Sequence, residues 1–149
     1  MKIDDTNIEI IKHLRDGRKS FSAIAEALFI TENTVRARVN KLVEEGILEI
    51  TGLVDPEALP GYRMIIIGIK LSTVDLVRKG KEFTALKGVV SVSVVTGRYD
   101  LIAQVMLNES DGFGLMEFFT DELSKVEEIR EVETFVVYQG YNLRVPYIL

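Results

Sequence analysis

Arg36, Arg38 and Lys41 fall within one short segment, which opens with Thr31, Glu32, Asn33 and Thr34 and carries the small Ala37. These residue types suit the reading of a DNA duplex. Arg pairs with guanine acceptors, Asn with adenine, and a short apolar side chain meets a thymine methyl. Thr31, Glu32, Asn33, Thr34, Arg36 and Ala37 are assigned to the base edges, and Arg38 and Lys41 to phosphates or the groove flank. The plainer alternative is the solvated face of an amphipathic helix, with Glu32, Glu44 and Glu45 answering the cations. The residues fit both readings, so the order of the surrounding elements has to decide.

Other chemistry finds few means. His13 is the single histidine and cysteine is absent, so disulfides, thiolate metal sites and most nucleophile–base pairs fall away. The glycines are scattered and form no phosphate loop. Neither a metal nor a cofactor is expected, and no catalytic residue is assigned. The net charge of −5 does not exclude a nucleic-acid partner, because DNA binding needs local rather than global positive charge. Residues 1–50 carry eight Lys and Arg against nine Asp and Glu, and the remainder ten against fourteen. A basic patch is therefore sought in the N-terminal part.

Three helices must position that patch. Ile3, Ile10, Ile11 and Leu14 share one helical face, with Asp4 or Asp5 as N-cap and Asp16-Gly17 as the stop. Ser20 caps a second helix bearing Phe21, Ile24, Ala25 and Leu28. Thr31 caps a third, in which Val35, Val39, Leu42 and Val43 form the buried stripe and Gly46 closes the end. Residues 47–55, ILEITGLVD, are β-rich and predict a wing and the start of a linker. The order helix, helix, turn, helix, strand describes a winged helix-turn-helix, whose third helix enters the major groove.

The rest predicts the strand order β-α-β-β-α-β. Pro56, Pro60 and Gly61 mark the boundary. YRMIIIGIKLS is a buried strand, and a helical pattern follows from Leu76 to Leu86. VVSVSVVTG and LIAQVML form a hairpin around Arg98-Tyr99-Asp100. Ser110 or Asp111 opens a helix with Leu115, Met116, Phe119 and Leu123, and VETFVVYQG is the last strand. The fold class is thus α+β: a winged helix-turn-helix over 1–52, a linker over 53–62 and a ferredoxin-like domain over 63–149. A sheet with helices on one face leaves the other to a partner, and Ile66, Val92, Val94 and Val136 are expected to supply that surface. A homodimer follows, suited to a pseudo-palindromic DNA site.

No apolar run approaches the roughly 18 residues of a membrane span. The start, MKIDDTNIEI, is acidic where a signal peptide is basic. By elimination a cytoplasmic address is expected, with no membrane partner.

The chain resembles the Lrp/AsnC family over nearly its whole length. The resemblance rests on Ile3-Asp4, Ile10-Ile11, Leu14, Asp16-Gly17-Arg18, Ile24-Ala25, Thr34 to Val39, Leu42, Glu45-Gly46-Ile47, Asp55 to Leu59, and Thr96 to Asp100. It implies a DNA-binding regulator whose dimers assemble into tetramers or octamers. It also implies an effector site, typically for an amino acid, between dimers. Thr96, Gly97, Arg98, Tyr99 and Asp100 map onto the family's loop there, and Thr134 onto a polar position of the last strand. Amides around Gly97 would hold a ligand carboxylate, and Asp100 either its ammonium or a neighbouring backbone amide. The same loop also reads as a plain hairpin turn.

Three residues depart from the family pattern. Phe29 stands where Gly is common, Asn7 where Asp is usual, and Val132 where some relatives carry a second hydroxyl. Two rival functions share the architecture. One is siroheme decarboxylase, which uses His and Arg in the α/β domain, where this chain has no His. The other is a metabolite-sensing adaptor with a degenerate DNA-binding half.

Overall fold

The computed structural model describes residues 3–149. Helix α1 (Asp5–Leu14) is capped by Asp4, whose carboxylate accepts from the Asn7 amide at 2.8 Å. Ser20 caps α2 (Phe21–Leu28) through the Ala23 amide, and Thr31 caps α3 (Glu32–Glu44) through the Thr34 amide. Each cap satisfies a first-turn donor that the helix itself leaves open. Ile10, Ile24, Ala25, Val35 and Val39 close into one core, with Leu14, Phe21, Leu28, Ile30 and Leu48 packed on it. Small Ala25 suits the close approach of α2 and α3. The expected stripes are too wide at two places. Ile3 lies ahead of the helix and exposed, and Val43 is 44% exposed while Leu42 takes the buried position.

These helices belong to one compact unit, and the chain divides after Thr51. Residues 47–52, expected in the wing, join no β-ladder among the described residues. Leu53–Val54 forms strand β1, which pairs antiparallel with β6 (Val145–Pro146) of the second unit. A strand needs a partner for its backbone groups, and β1 finds it within its own unit. Residues 53–62, expected as a linker, contain β1, a 3-10 turn over Pro56–Ala58 and the first residue of β2.

In the second unit, β2 (Tyr62–Leu71), α4 (Leu76–Thr84), β3 (Val89–Val94), β4 (Leu101–Asn108), α5 (Leu115–Glu117) and β5 (Ile129–Val136) follow the expected order. The antiparallel sheet runs β3-β4-β2-β5, the ferredoxin-like arrangement. The fifth helix starts later than Ser110. Residues Glu109–Asp111 form a 3-10 turn, and Phe113 is drawn into the core, bridging Asn108. Helix therefore begins after Gly114, whose amide donates to Glu117, and continues through a π turn (Phe118–Glu122) and a 3-10 turn (Leu123–Lys125). The last strand runs from Ile129 rather than Val132 and ends at Val136.

Register fixes the two faces of this sheet. Ile65, Ile67 and Ile69 stand opposite Val105, Ala103 and Leu101 on one side, and Val136, Thr134 and Val132 on the other. That face packs on Phe83, Leu86, Phe113, Phe118 and Leu123. Val92 and Val94 pair with Ala103 and Leu101, so they and Val136 belong to the helix-covered face or its margins, not to the open one. A one-residue change of register would have reversed this. Of the four expected partner-facing residues only Ile66 lies on the open face, in a cross-strand row with Ser91, Gln104 and Phe135. Met64, Met106 and Val145 bury one end of that face.

Lys79 is 2% exposed, yet its Nζ lies 2.8 Å from Glu82 and 3.0 Å from Glu128. Arg78 also reaches Asp75, Glu82 and Glu128. The cations hold both Glu82 and Glu128 below the ordinary carboxylate range, and Glu82 first, then Glu128, raise Lys79. The cluster ties α4 to the residue just before β5.

Candidate nucleic-acid interface and sensor loop

On α3, Asn33, Arg36, Ala37, Asn40 and Lys41 are all exposed, and their three- and four-residue spacing puts them on one face. Glu32 and Thr31 are exposed at the helix start, while Thr34 is half-buried. Thr31 and Thr34 are engaged with each other, their hydroxyls 2.8 Å apart, which fixes the first turn. Arg36 donates to Glu32 at 2.6 Å, and its guanidinium lies 5.3 Å from the centre of the Phe21 ring. The side chain is thereby held extended along the exposed face by a carboxylate and an aromatic from a neighbouring helix. Lys41 makes no ion pair among the described residues. Asn40, which the sequence reading passed over, shares this face. Its signal was the spacing Asn33-Ala37-Asn40-Lys41.

Arg38 is placed differently from Lys41. One of its terminal nitrogens donates to both carboxylate oxygens of Asp4, at 2.8 and 2.7 Å, and to Asn7 Oδ1 at 2.9 Å. Asn7 is 2% exposed, so Arg38 ties α3 to the start of α1 rather than standing free for phosphate. The Arg38 guanidinium, with the Asn7 amide next in strength, holds the Asp4 carboxyl below its usual range. Asn7, in the place of an acid, accepts from the same guanidinium without adding a second negative charge.

In the second unit, Thr96, Gly97 and Arg98 are exposed at the β3–β4 turn, with Gly97 at φ +126°. Among the described residues no hydrogen bond engages the Gly97, Arg98 or Tyr99 amides. Asp100 has a backbone duty. Its carboxylate accepts from the Leu71 amide at 2.8 Å, and its own amide donates to Ile69. Of the two partners expected for Asp100, the structure supplies the backbone amide.

Tyr99 lies flat on the open face of the sheet over Gly68. A β-carbon at Gly68 would meet the ring at 2.7 Å, so any other residue there displaces it. Gly68 pairs with Glu133, whose Oε2 lies 3.1 Å from the Arg98 guanidinium. Among the described residues the buried Tyr99 hydroxyl has no hydrogen-bond partner, and the buried Glu133 Oε2 is answered by the Arg98 ion pair alone. Buried polar atoms are seldom left so, because each forfeits its hydration without replacement. Gly68 and Glu133 were missed in the sequence, although an isolated Gly within a strand signals close approach of another group.

Thr134 is not part of this arrangement within one chain. It stands opposite Ile67 on the helix-covered face, lining an apolar cavity of about 510 Å³ with Leu115, Met116 and Phe119. Tyr99 and Thr134 are thus on opposite faces of the same sheet.

Comparison with known proteins gives these two units a family. Residues 3–49 match a winged helix-turn-helix DNA-binding domain, and 64–145 the Lrp/AsnC ligand binding domain. An uncharacterized HTH-type transcriptional regulator of Pyrococcus abyssi is 30% identical over 140 residues, covering 92% of this chain and 87% of its own. Among solved structures, E. coli AsnC superposes with a TM-score of 0.68 at 24% identity, covering 97% of each chain. A transcriptional regulator from Neisseria meningitidis, solved as its L-Met complex, reaches 0.69 at 18% identity, over 99% of this chain and 96% of its own. With a DNA-binding helix-turn-helix followed by that ligand-binding domain, the chain belongs to the Lrp/AsnC family of transcriptional regulators.

Proposed function

We propose that this protein is a cytoplasmic, non-enzymatic regulator that binds a pseudo-palindromic DNA site as a homodimer or a higher assembly of dimers, under control of an amino acid. The observation that carries the DNA half is the exposed face of α3, with Arg36 held outward by Glu32 and Phe21 and Lys41 exposed beside it. Asn33, Arg36, Ala37 and Asn40 read base edges, and Lys41 takes a phosphate. Thr31, Glu32 and Thr34 shape the helix start at the groove. Arg38 acts through the orientation of α3 on α1.

The effector half is supported by the amides at Gly97 to Tyr99, unengaged among the described residues, by the unpartnered Tyr99 hydroxyl, and by Glu133, whose Arg98 ion pair is exposed on the arginine side. Together they offer donors for a carboxylate and an acceptor for an ammonium, the two ends of an amino acid. The L-Met bound by the Neisseria meningitidis regulator agrees in chemistry. Thr134 joins such a site only if a second subunit brings its opposite face to the loop, which makes ligand binding sensitive to assembly. A ligand that binds one assembly better than another shifts the population toward it, and DNA affinity shifts with it.

The test is in vitro selection of duplex DNA on the purified chain, repeated with each of a panel of amino acids. Enrichment of one pseudo-palindrome, altered in affinity by one ligand class, is expected. Retention of no duplex in low salt would defeat the DNA reading, and indifference to every amino acid the effector reading.

A further inference from the structure

The turn between α2 and α3 is built on an unfavourable residue. Phe29 ends α2 at φ +56°, ψ +38°, its amide donating toward Ala25 and Glu26. A β-carbon is crowded in this left-handed conformation, which is why glycine is the usual occupant. The turn needs it, because the next residue, Ile30, must donate to Ala25 and pack into the core, and Thr31 must then cap α3. The side chain recovers nothing for this strain. Phe29 is 96% exposed, whereas Phe21, the other aromatic of this unit, is half-buried beneath Arg36. Strain that the fold does not repay is characteristic of a residue serving a contact outside it.

We infer that Phe29 is a DNA-contacting residue that extends the binding surface beyond α3, packing its ring on the apolar C–H surface at the edge of the groove. The inference rests on the proposal that α3 faces the duplex. Phe29 is two residues before Thr31 and adjoins the exposed run Thr31, Glu32, Asn33. A duplex offers matching chemistry there in deoxyribose rings and thymine methyl groups, and both leave water on contact. DNA is favoured over a protein partner by this continuity with a helix that belongs to a DNA-binding domain.

The experiment compares wild type, Phe29→Gly and Phe29→Leu on the duplex selected by the wild-type chain, with melting temperature measured in parallel. Phe29→Gly should melt no lower than wild type, since it relieves the turn, yet bind about tenfold more weakly, with Phe29→Leu intermediate. The slope of log affinity against log salt should stay unchanged, because no phosphate charge is lost, whereas Lys41→Ala should flatten it. Loss of preference for T at one flanking position places the ring on a methyl, and a uniform loss places it on sugars. Undiminished binding by Phe29→Gly, or a fall in its melting temperature, overturns the inference. If the wild-type chain retains no duplex at all, the regulator reading fails first and takes Phe29 with it.

Discussion

Arg36 is held by two weak contacts, which the proposed base reading would exchange for contacts to a duplex. The Glu32 pair is half-exposed at both ends, and such pairs are worth about 0.2–1 kcal/mol. Glu32→Gln should therefore tighten binding to the selected duplex by a small factor, while Arg36→Ala should weaken it by about 1–3 kcal/mol and relax the sequence preference at one position. Fluorescence anisotropy on matched and single-substituted duplexes reads both, and equal selectivity in Arg36→Ala would remove that side chain from the base-reading set. Arg38 makes a different prediction, on stability. Its partner Asp4 is depressed below the ordinary 3.8 in the folded chain. A depressed carboxylate contributes stability that is whole above its unfolded pKa and is lost as pH falls through the folded one. Arg38→Ala should accordingly lower the melting temperature of the first unit at about pH 6, with the gap to wild type closing toward about pH 2. A gap that persists in acid would show that Arg38 acts by packing alone.

At the scale of elements, what was legible in the sequence was what is local. Ser20 and Thr31 announce helix starts because a cap is a contact three residues long, and Ile24, Ala25, Val35 and Val39 announce buried faces because the helical period is fixed. The core of the second unit is equally a matter of pattern. Phe118, 1% exposed between Phe113 and Phe119, should cost about 3–5 kcal/mol on replacement by Ala, read by urea denaturation. A loss under about 1 kcal/mol would mean that the π turn collapses into the space. Illegible were the features that depend on distant partners. Arg38 resembles any helix-surface cation until Asp4, thirty-four residues away, is brought beside it. Val92, Val94 and Val136 alternate as well as Ile66 does, and only the pairing register assigns their faces. Thr134 and Tyr99 follow the same rule, which is why a single pocket could not be assembled from them in advance.

For the molecule as a whole, the open row Ser91, Gln104, Ile66 and Phe135 is the part of the sheet that neither helices nor the C-terminal strand cover. Phe135 is 45% exposed there. If the proposed homodimer joins through this row, Phe135→Asp should shift the sedimenting species toward monomer and weaken binding to a full palindrome far more than to one half. An unchanged sedimentation coefficient would exclude this row as the contact of the proposed homodimer.

The pairing of Leu53–Val54 with Val145–Pro146 has a bearing on synthesis. As the ribosome releases the chain, the three-helix unit has everything it needs early and can fold at once. Strand β1 cannot: among the described residues its ladder partner is β6, which is made after every other strand of the second unit. Until β6 emerges, the backbone groups of Leu53 and Val54 have no ladder to join, so this two-stranded sheet closes only after all four strands of the larger one have been made.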